Sequence, residues 1–313
     1  MKNVLVAGGA GFVGSHLCDL LIKNANVVCV DNMITGALEN IKHLENNKQF
    51  KFINMDICST ELPKALSGYK FDMIYNMASP ASPIDYIEYP IETLLTGSIG
   101  VKNLLDIAIK DGSRILIAST SEVYGDPLEH PQKEEYWGNV NPIGLRSCYD
   151  EAKRFMEALT MAYKRKKNAD IRICRIFNTY GPRMRLADGR VVPNFISQAI
   201  KGEDITVYGD GSQTRSFCYV SDLVDGIVKL MGSDVDTPVN LGNPNERSII
   251  GFAKDIVDML GSKSKIEHLP PFPDDPRKRR PDITKAKKLL NWEPKVDFTV
   301  GIKATIEYFK PRI

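Results

Sequence analysis

The sequence predicts an α/β fold, a doubly wound parallel sheet with a smaller C-terminal lobe. Three observations lead there. Short apolar runs (Val4-Leu5-Val6-Ala7, Val27-Val28-Cys29-Val30, Phe50-Lys51-Phe52-Ile53, Phe71 to Met77, Ile115-Leu116-Ile117-Ala118, Ile171 to Ile176) alternate with stretches of helical spacing. A glycine-rich turn follows the first run directly. Polar and acidic residues gather where the runs end, the edge at which such a sheet binds ligands.

The turn is Gly8-Gly9-Ala10-Gly11-Phe12-Val13-Gly14, with Gly8, Gly11 and Gly14 three apart and Gly9, Gly11 and Gly14 giving G-x-G-x-x-G. It precedes an amphipathic stretch (Phe12, His16, Leu17, Leu20, Leu21), the strand–turn–helix context that a pyrophosphate needs. Without Cβ atoms the backbone can close on the ligand and aim a helix N-terminus at it. Asp31 ends the second run, where a carboxylate accepts from the adenosine ribose hydroxyls and repels a 2′-phosphate. No arginine follows in Asn32-Met33-Ile34, so the expected cofactor is NAD rather than NADP. Asn32, Thr35 and Gly36, then Asp56 and Ile57 after the third run, and Ala78 and Ser119 at later strand ends complete the candidate cofactor contacts.

The candidate reaction centre spans Ile115 to Lys153. A Ser/Thr-rich strand end, Ser119-Thr120-Ser121-Glu122-Val123-Tyr124-Gly125, precedes a helical segment in which Tyr149 and Lys153 share a face at i,i+4. A phenol is a poor base at its reference pKa of about 10, and a neighbouring ammonium and a cationic nicotinamide ring favour the phenolate. Lowering it by ~3 units takes ~4 kcal/mol of differential stabilisation. Tyr163 and Lys167 repeat the spacing, but the basic run Lys164-Arg165-Lys166-Lys167 places that pair on a solvated helix end.

A hydrophobic fraction of 43%, a charged fraction of 26% and a net charge of +2 describe an ordinary globular chain. They argue against a general nucleic-acid or membrane binder. Six cysteines without a C-x-x-C pair suggest buried thiols in a reducing compartment, and four scattered histidines suggest no metal site. No apolar run reaches membrane-spanning length, and a first strand beginning by Val4 leaves no room for a signal peptide, so a cytoplasmic location is expected. Residues 1–178 read as the cofactor domain and 179–313 mainly as a substrate lobe, with roughly 215–243 returning to the sheet. The charge cluster from Asp274 through Asp275, Pro276, Arg277, Lys278, Arg279 and Arg280 to Asp282 reads as a diphosphate or carboxylate clamp, with a solvated loop as the competing reading.

With the glycine turn, Asp31 and the Tyr149/Lys153 pair placed, the chain resembles the extended short-chain dehydrogenase/reductase family, and within it the UDP-glucuronate decarboxylases. Thr120 to Pro127, Tyr136 to Gly144, Phe177 to Met184 and Asp274 to Asp282 carry the closer match. The resemblance implies a Rossmann domain, NAD, a UDP-sugar substrate and decarboxylation through a transient 4-ketone. It makes Tyr149 the acid–base, Lys153 the residue that holds the nicotinamide ribose and lowers the Tyr149 pKa, and Thr120 a partner of the 4-oxygen. Arg279 falls near the substrate carboxylate, and Pro80, Asn178, Arg185, Asn194, Tyr208, Gln213 and Arg215 fall among the sugar-nucleotide contacts. Glu122 argues against a 4-epimerase, which usually has a small residue there, and Ser121 against a 4,6-dehydratase, which needs an aspartate. Those two activities are the enzymatic alternatives, and a non-catalytic NAD-binding protein is a third. Gly97, Leu145 and Asn76-Met77-Ala78 depart from the family pattern. The segments Ile91–Lys110 and Tyr149–Lys167 resemble those that pair between subunits, so a homodimer is expected.

Overall fold

The computed structural model describes residues 1–270 and 278–313. Its centre is built from β1 (Lys2–Ala7), β2 (Ala25–Asp31), β3 (Phe50–Asn54), β4 (Met73–Asn76), β5 (Arg114–Thr120), β6 (Ile171–Ile176) and β7 (Val239–Leu241). Continuous apolar strands such as β1 and β5 suit a sheet covered on both faces, and β5 is buried from Ile115 to Thr120. The seven strands lie parallel in the order β7-β6-β5-β4-β1-β2-β3. The order reverses between β1 and β4, which puts the ligand crevice at their carboxyl ends.

One face is covered by α1 (Phe12–Leu21) and α7 (Val220–Gly232), whose Leu17, Leu223, Ile227 and Leu230 pack with Val4, Val6 and Leu116. Ile283, Ala286, Leu290 and Trp292 join the same core from far along the chain. The indole N–H of Trp292 donates to the Asp222 carbonyl at 2.9 Å, locking that late segment onto α7. The opposite face is covered by α4 (Val101–Asp111) and α5 (Ser147–Lys167), through Leu104, Leu105 and Met156. A separate core of Phe195, Ile205, Phe217, Phe252, Ile302 and Phe309 holds the smaller lobe, which includes α6 (Val191–Lys201).

The segment expected as one helix from Ile91 to Lys110 is interrupted. An α-helical piece, α3 (Pro90–Leu95), passes through a π-helical turn at Thr96–Gly100 before α4 begins. This turn packs closely against α5. A Cβ at Gly97 would lie 2.9 Å from both the Cβ and the carbonyl oxygen of Ala152. The wider turn and the missing side chain let the two helices approach closely.

Candidate active site

The cofactor end of the crevice is shaped by the glycine turn. Gly8 has φ +75°, and a Cβ there would sit 2.6 Å from the Ala78 nitrogen. At Gly14 the added atom would meet the Gly8 carbonyl at 2.0 Å, so helix and strand pack with no room for a side chain. α1 starts behind Gly11 without a side-chain cap, leaving its first N–H groups for an anion. Asp31 accepts the Ala10 and Met33 N–H groups at 2.9 Å each. Burial pushes its carboxyl pKa up against these hydrogen bonds. Gly8, Gly11, Asp31, Asn32, Thr35, Asp56, Ile57 and Ala78 line one pocket, as expected of a cofactor cleft. Pro80, read as a substrate contact, lines it too, together with Ile34, Ser79 and Thr96, which the sequence did not single out. Gly36 packs directly on Asp31, where a Cβ would come 2.8 Å from Oδ1. The cradle, the uncapped helix start and the oriented carboxylate fit a dinucleotide. Phe12 and Val13 open α1 beside this cradle.

Thr120 ends β5, and Ser121–Tyr124 forms one tight helical turn. The Thr120 hydroxyl accepts the Glu122 N–H at 3.3 Å and hydrogen-bonds the Tyr149 phenol. Tyr149 and Lys153 lie buried in the first turns of α5. Lys153 Nζ donates to the Ala118 carbonyl at 2.8 Å and stands 5.5 Å from the centre of the Tyr149 ring. Burial brings its pKa down to about 8. The expected lowering of Tyr149 is not delivered by the chain alone. Burial and then the Glu122 charge push the phenol well above its usual range, while the Thr120 hydrogen bond pulls it down.

Glu122 and Arg279, far apart in sequence, are brought together. Arg279 Nη2 donates to Glu122 Oε2 at 2.8 Å, and Nη1 reaches Oε1. Arg146 donates to the same Oε2. Burial pushes the Glu122 pKa up, but Arg279 and Arg146 outweigh it and hold the carboxyl below its usual range. Arg279 sits on a short strand, Lys278–Arg279, paired with Thr214–Ser216 so that Arg215 lies opposite it. Gln132 fixes this strand's exit, its side-chain oxygen accepting the Arg280 N–H and its carbonyl the Asp282 N–H, both at 2.8 Å. Ser121 is buried next to Glu122.

Other expected residues are dispersed. Ser119 Oγ donates to Glu157 at 2.5 Å. Arg185 pairs with Asp85 of α2 (Pro83–Glu88). Gln213 Nε2 donates to the Tyr208 carbonyl at 2.8 Å, the Asn178 carbonyl accepts from Cys218, and Asn194 lies in α6. Asp274, Asp275, Pro276 and Arg277 lie outside the described residues. The rival pair at Tyr163 is structural at the tyrosine, whose hydroxyl donates to Asp106 of α4 at 2.7 Å. The reading missed Arg146, Asp150 and Tyr86. The first two flank Tyr149 in sequence, so their polarity was visible. The Tyr86 ring stacks on Tyr149 at 5.1 Å, a contact made only by folding.

The model of the GDP-mannose 4,6 dehydratase family matches residues 5–305. UDP-glucuronic acid decarboxylase 1 of Xenopus tropicalis is 52% identical over 313 residues, spanning 100% of this chain and 73% of the relative. This chain belongs to the UDP-glucuronic acid decarboxylase family. The family sits within the extended short-chain dehydrogenases/reductases, and solved structures agree with that fold. A UDP-glucose 4-epimerase of Thermotoga maritima, solved with UDP-glucose, is 31% identical with a TM-score of 0.92 over 99% of both chains. A UDP-glucuronic acid 4-epimerase of Bacillus cereus, solved with UDP-glucuronic acid and NAD, is 29% identical with a TM-score of 0.90 over 99% of this chain and 100% of that one. In this chain the Glu122–Arg279 pair stands next to Tyr149 and Thr120.

Proposed function

We propose that this protein decarboxylates UDP-glucuronate to UDP-xylose, with an NAD that is regenerated in every cycle. The observation that carries the reading is the ionised Glu122 held by Arg279 beside Tyr149 and Thr120. The glycine turn, Asp31 and the pocket around Asp56 and Ile57 would hold the cofactor, with Lys153 at its nicotinamide ribose. Bound NAD⁺ supplies a hydride acceptor that returns what it takes, and its positive charge favours the Tyr149 phenolate that burial and Glu122 disfavour.

Tyr149 then removes the proton of the sugar 4-hydroxyl, with Thr120 bonded to the same oxygen. The resulting 4-ketone stands β to the C6 carboxylate. The C5–C6 bond breaks, carbon dioxide leaves, and its electron pair enters an enolate. C5 gains one proton, and Tyr149 returns its own to the 4-oxygen as the alcohol re-forms. Arg279 receives the substrate carboxylate and balances charge as it is lost. Ser121 has no acidic proton to expel a C6 hydroxyl, so dehydration is disfavoured.

The reading extends to the remaining contacts. Arg215, Gln213, Tyr208, Asn194, Asn178 and Arg185 hold the uridine diphosphate, with Pro80 at the mouth. Residues 1–178 and the returning segment near 215–243 serve the cofactor, and the rest of 179–313 the sugar nucleotide. The protein works in the cytoplasm as a homodimer. Exposed Ile91, Leu94, Leu95 and Ile99 beside Phe155 of α5 support the pairing, and no helix among the described residues is long and apolar enough to cross a membrane.

Glu122→Gln tests the function against epimerisation. Carbon dioxide release from UDP-glucuronate should fall by at least ~10²-fold, the size of loss expected when a preorganised charge that holds Arg279 at the substrate carboxylate is removed. An unchanged rate, or wild-type turnover of only neutral UDP-sugars, rejects the reading.

A further inference from the structure

Arg146 is a residue of this site that the mechanism above does not use. Its side chain is 13% exposed, and its guanidinium donates to Glu122 Oε2, the oxygen that also takes Arg279 Nη2. The guanidinium carbon lies 5.8 Å from the centre of the Tyr86 ring, which stacks on Tyr149. One side chain therefore touches both the carboxylate and the tyrosine pair.

Groups face Glu122 from every element around it. Arg279 and Arg215 come from the two short strands, Arg146 from the residue before α5, Tyr149 and Asp150 from the first turn of α5, and Tyr86 from α2. Two guanidinium groups directly contact one carboxylate here, leaving one positive charge in excess. The substrate of the proposed reaction brings a second carboxylate. Without Arg146, Arg279 would be the one guanidinium in direct contact with Glu122 when the second carboxylate arrives, with Arg215 acting only at longer range, so taking up a proton becomes easier for one of the two carboxylates. With Arg146 present, each carboxylate keeps a cation.

We propose that Arg146 is a positioning residue that holds the Glu122 carboxylate in place and charge-balanced while Arg279 engages the carboxylate of the substrate. This rests on the decarboxylase reading. The Arg146 side chain meets the site at Glu122 and at the Tyr86 ring that stacks on Tyr149. A purely structural role at the start of α5 is separable, because there it is the Arg146 backbone carbonyl that accepts the Tyr149 and Asp150 N–H groups at 3.0 Å.

The test uses the full chain loaded with NAD. Infrared titration follows the Glu122 carboxyl band, identified by its loss in Glu122→Gln. It is run with and without UDP-glucuronate in a Tyr149→Phe background that holds the ligand unreacted. Arg146→Met should move the Glu122 midpoint up by about one pH unit or more, since a buried carboxylate loses an adjacent cation. Arg146→Lys should restore part of that shift. In the Tyr149 enzyme, kcat should fall at least ~10-fold with KM little changed, and the acid limb of the kcat profile should follow the infrared midpoint. Should the methionine variant not fold, Arg146→Gln replaces it. A midpoint that stays put in the neutral variants overturns the inference. Wild-type protein that releases no carbon dioxide overturns the decarboxylase reading instead, and the infrared shift still decides whether Arg146 governs Glu122.

Discussion

In the mechanism proposed above Tyr149 carries the proton chemistry, and its surroundings set a definite expectation. Tyr149→Phe should lower turnover by more than ~10³-fold, because it removes the one hydroxyl the mechanism uses as acid and base, while NAD stays bound, which absorbance of the purified protein would report. Asp150, next along the helix, gives a pH signature. Burial, then the Glu122 charge, pushes its carboxyl up to about 7. A carboxyl with a raised folded-state pKa contributes stability below its unfolded value of about 4, and that contribution is lost as pH rises through about 7. Asp150→Asn cannot ionise, so its urea stability should gain on wild type between pH 4 and pH 8. Parallel curves would show that Asp150 titrates normally. Glu122 stood out only through the resemblance to the family, whereas Tyr149 and Lys153 were legible from their i,i+4 spacing. The direction in which Lys153 points was not, because the Ala118 carbonyl that takes its proton lies on another element. Tyr86 was hidden for the same reason.

The helix bearing Gly97 shows what periodicity can and cannot reveal. Apolar spacing indicated a helix, and one is there, yet the π-helical turn at Thr96–Gly100, which packs on α5, leaves no mark in the pattern. The departure from the family at Gly97 acquires a physical reason, since a side chain would press on the Ala152 backbone and Cβ at 2.9 Å. Gly97→Ala should therefore destabilise by about 1–3 kcal/mol, as overpacking does, despite the better helix propensity of alanine. Thermal melting checks it, and a raised Tm would mean the helices separate freely. The glycine turn was the most legible element, because its requirement for missing side chains is met at Gly8 and Gly14 as expected.

Across the whole molecule, the doubly wound sheet followed from alternating apolar runs, and all six sequence-marked strands are present with β7 as the seventh. The late return of Ile283 to Trp292 to the main core was not legible, since a short helix and a single tryptophan carry no period of their own. The proposed homodimer would cover Ile91, at 66% exposure, and Phe155, at 52%. Sedimentation should give twice the chain mass, and Ile91→Glu with Phe155→Glu should give the single chain. A monomeric wild type would reject the pairing.

The central claim is that a hydride leaves C4 and returns to it while the carboxyl group is lost, and isotope placement reads this directly. UDP-glucuronate carrying deuterium at C4, turned over in ordinary water, should give UDP-xylose that keeps the label at C4, with one equivalent of carbon dioxide and no net NADH. Loss of the C4 label to solvent, or return of a C4-inverted uronate with its carboxyl group intact, would contradict the account.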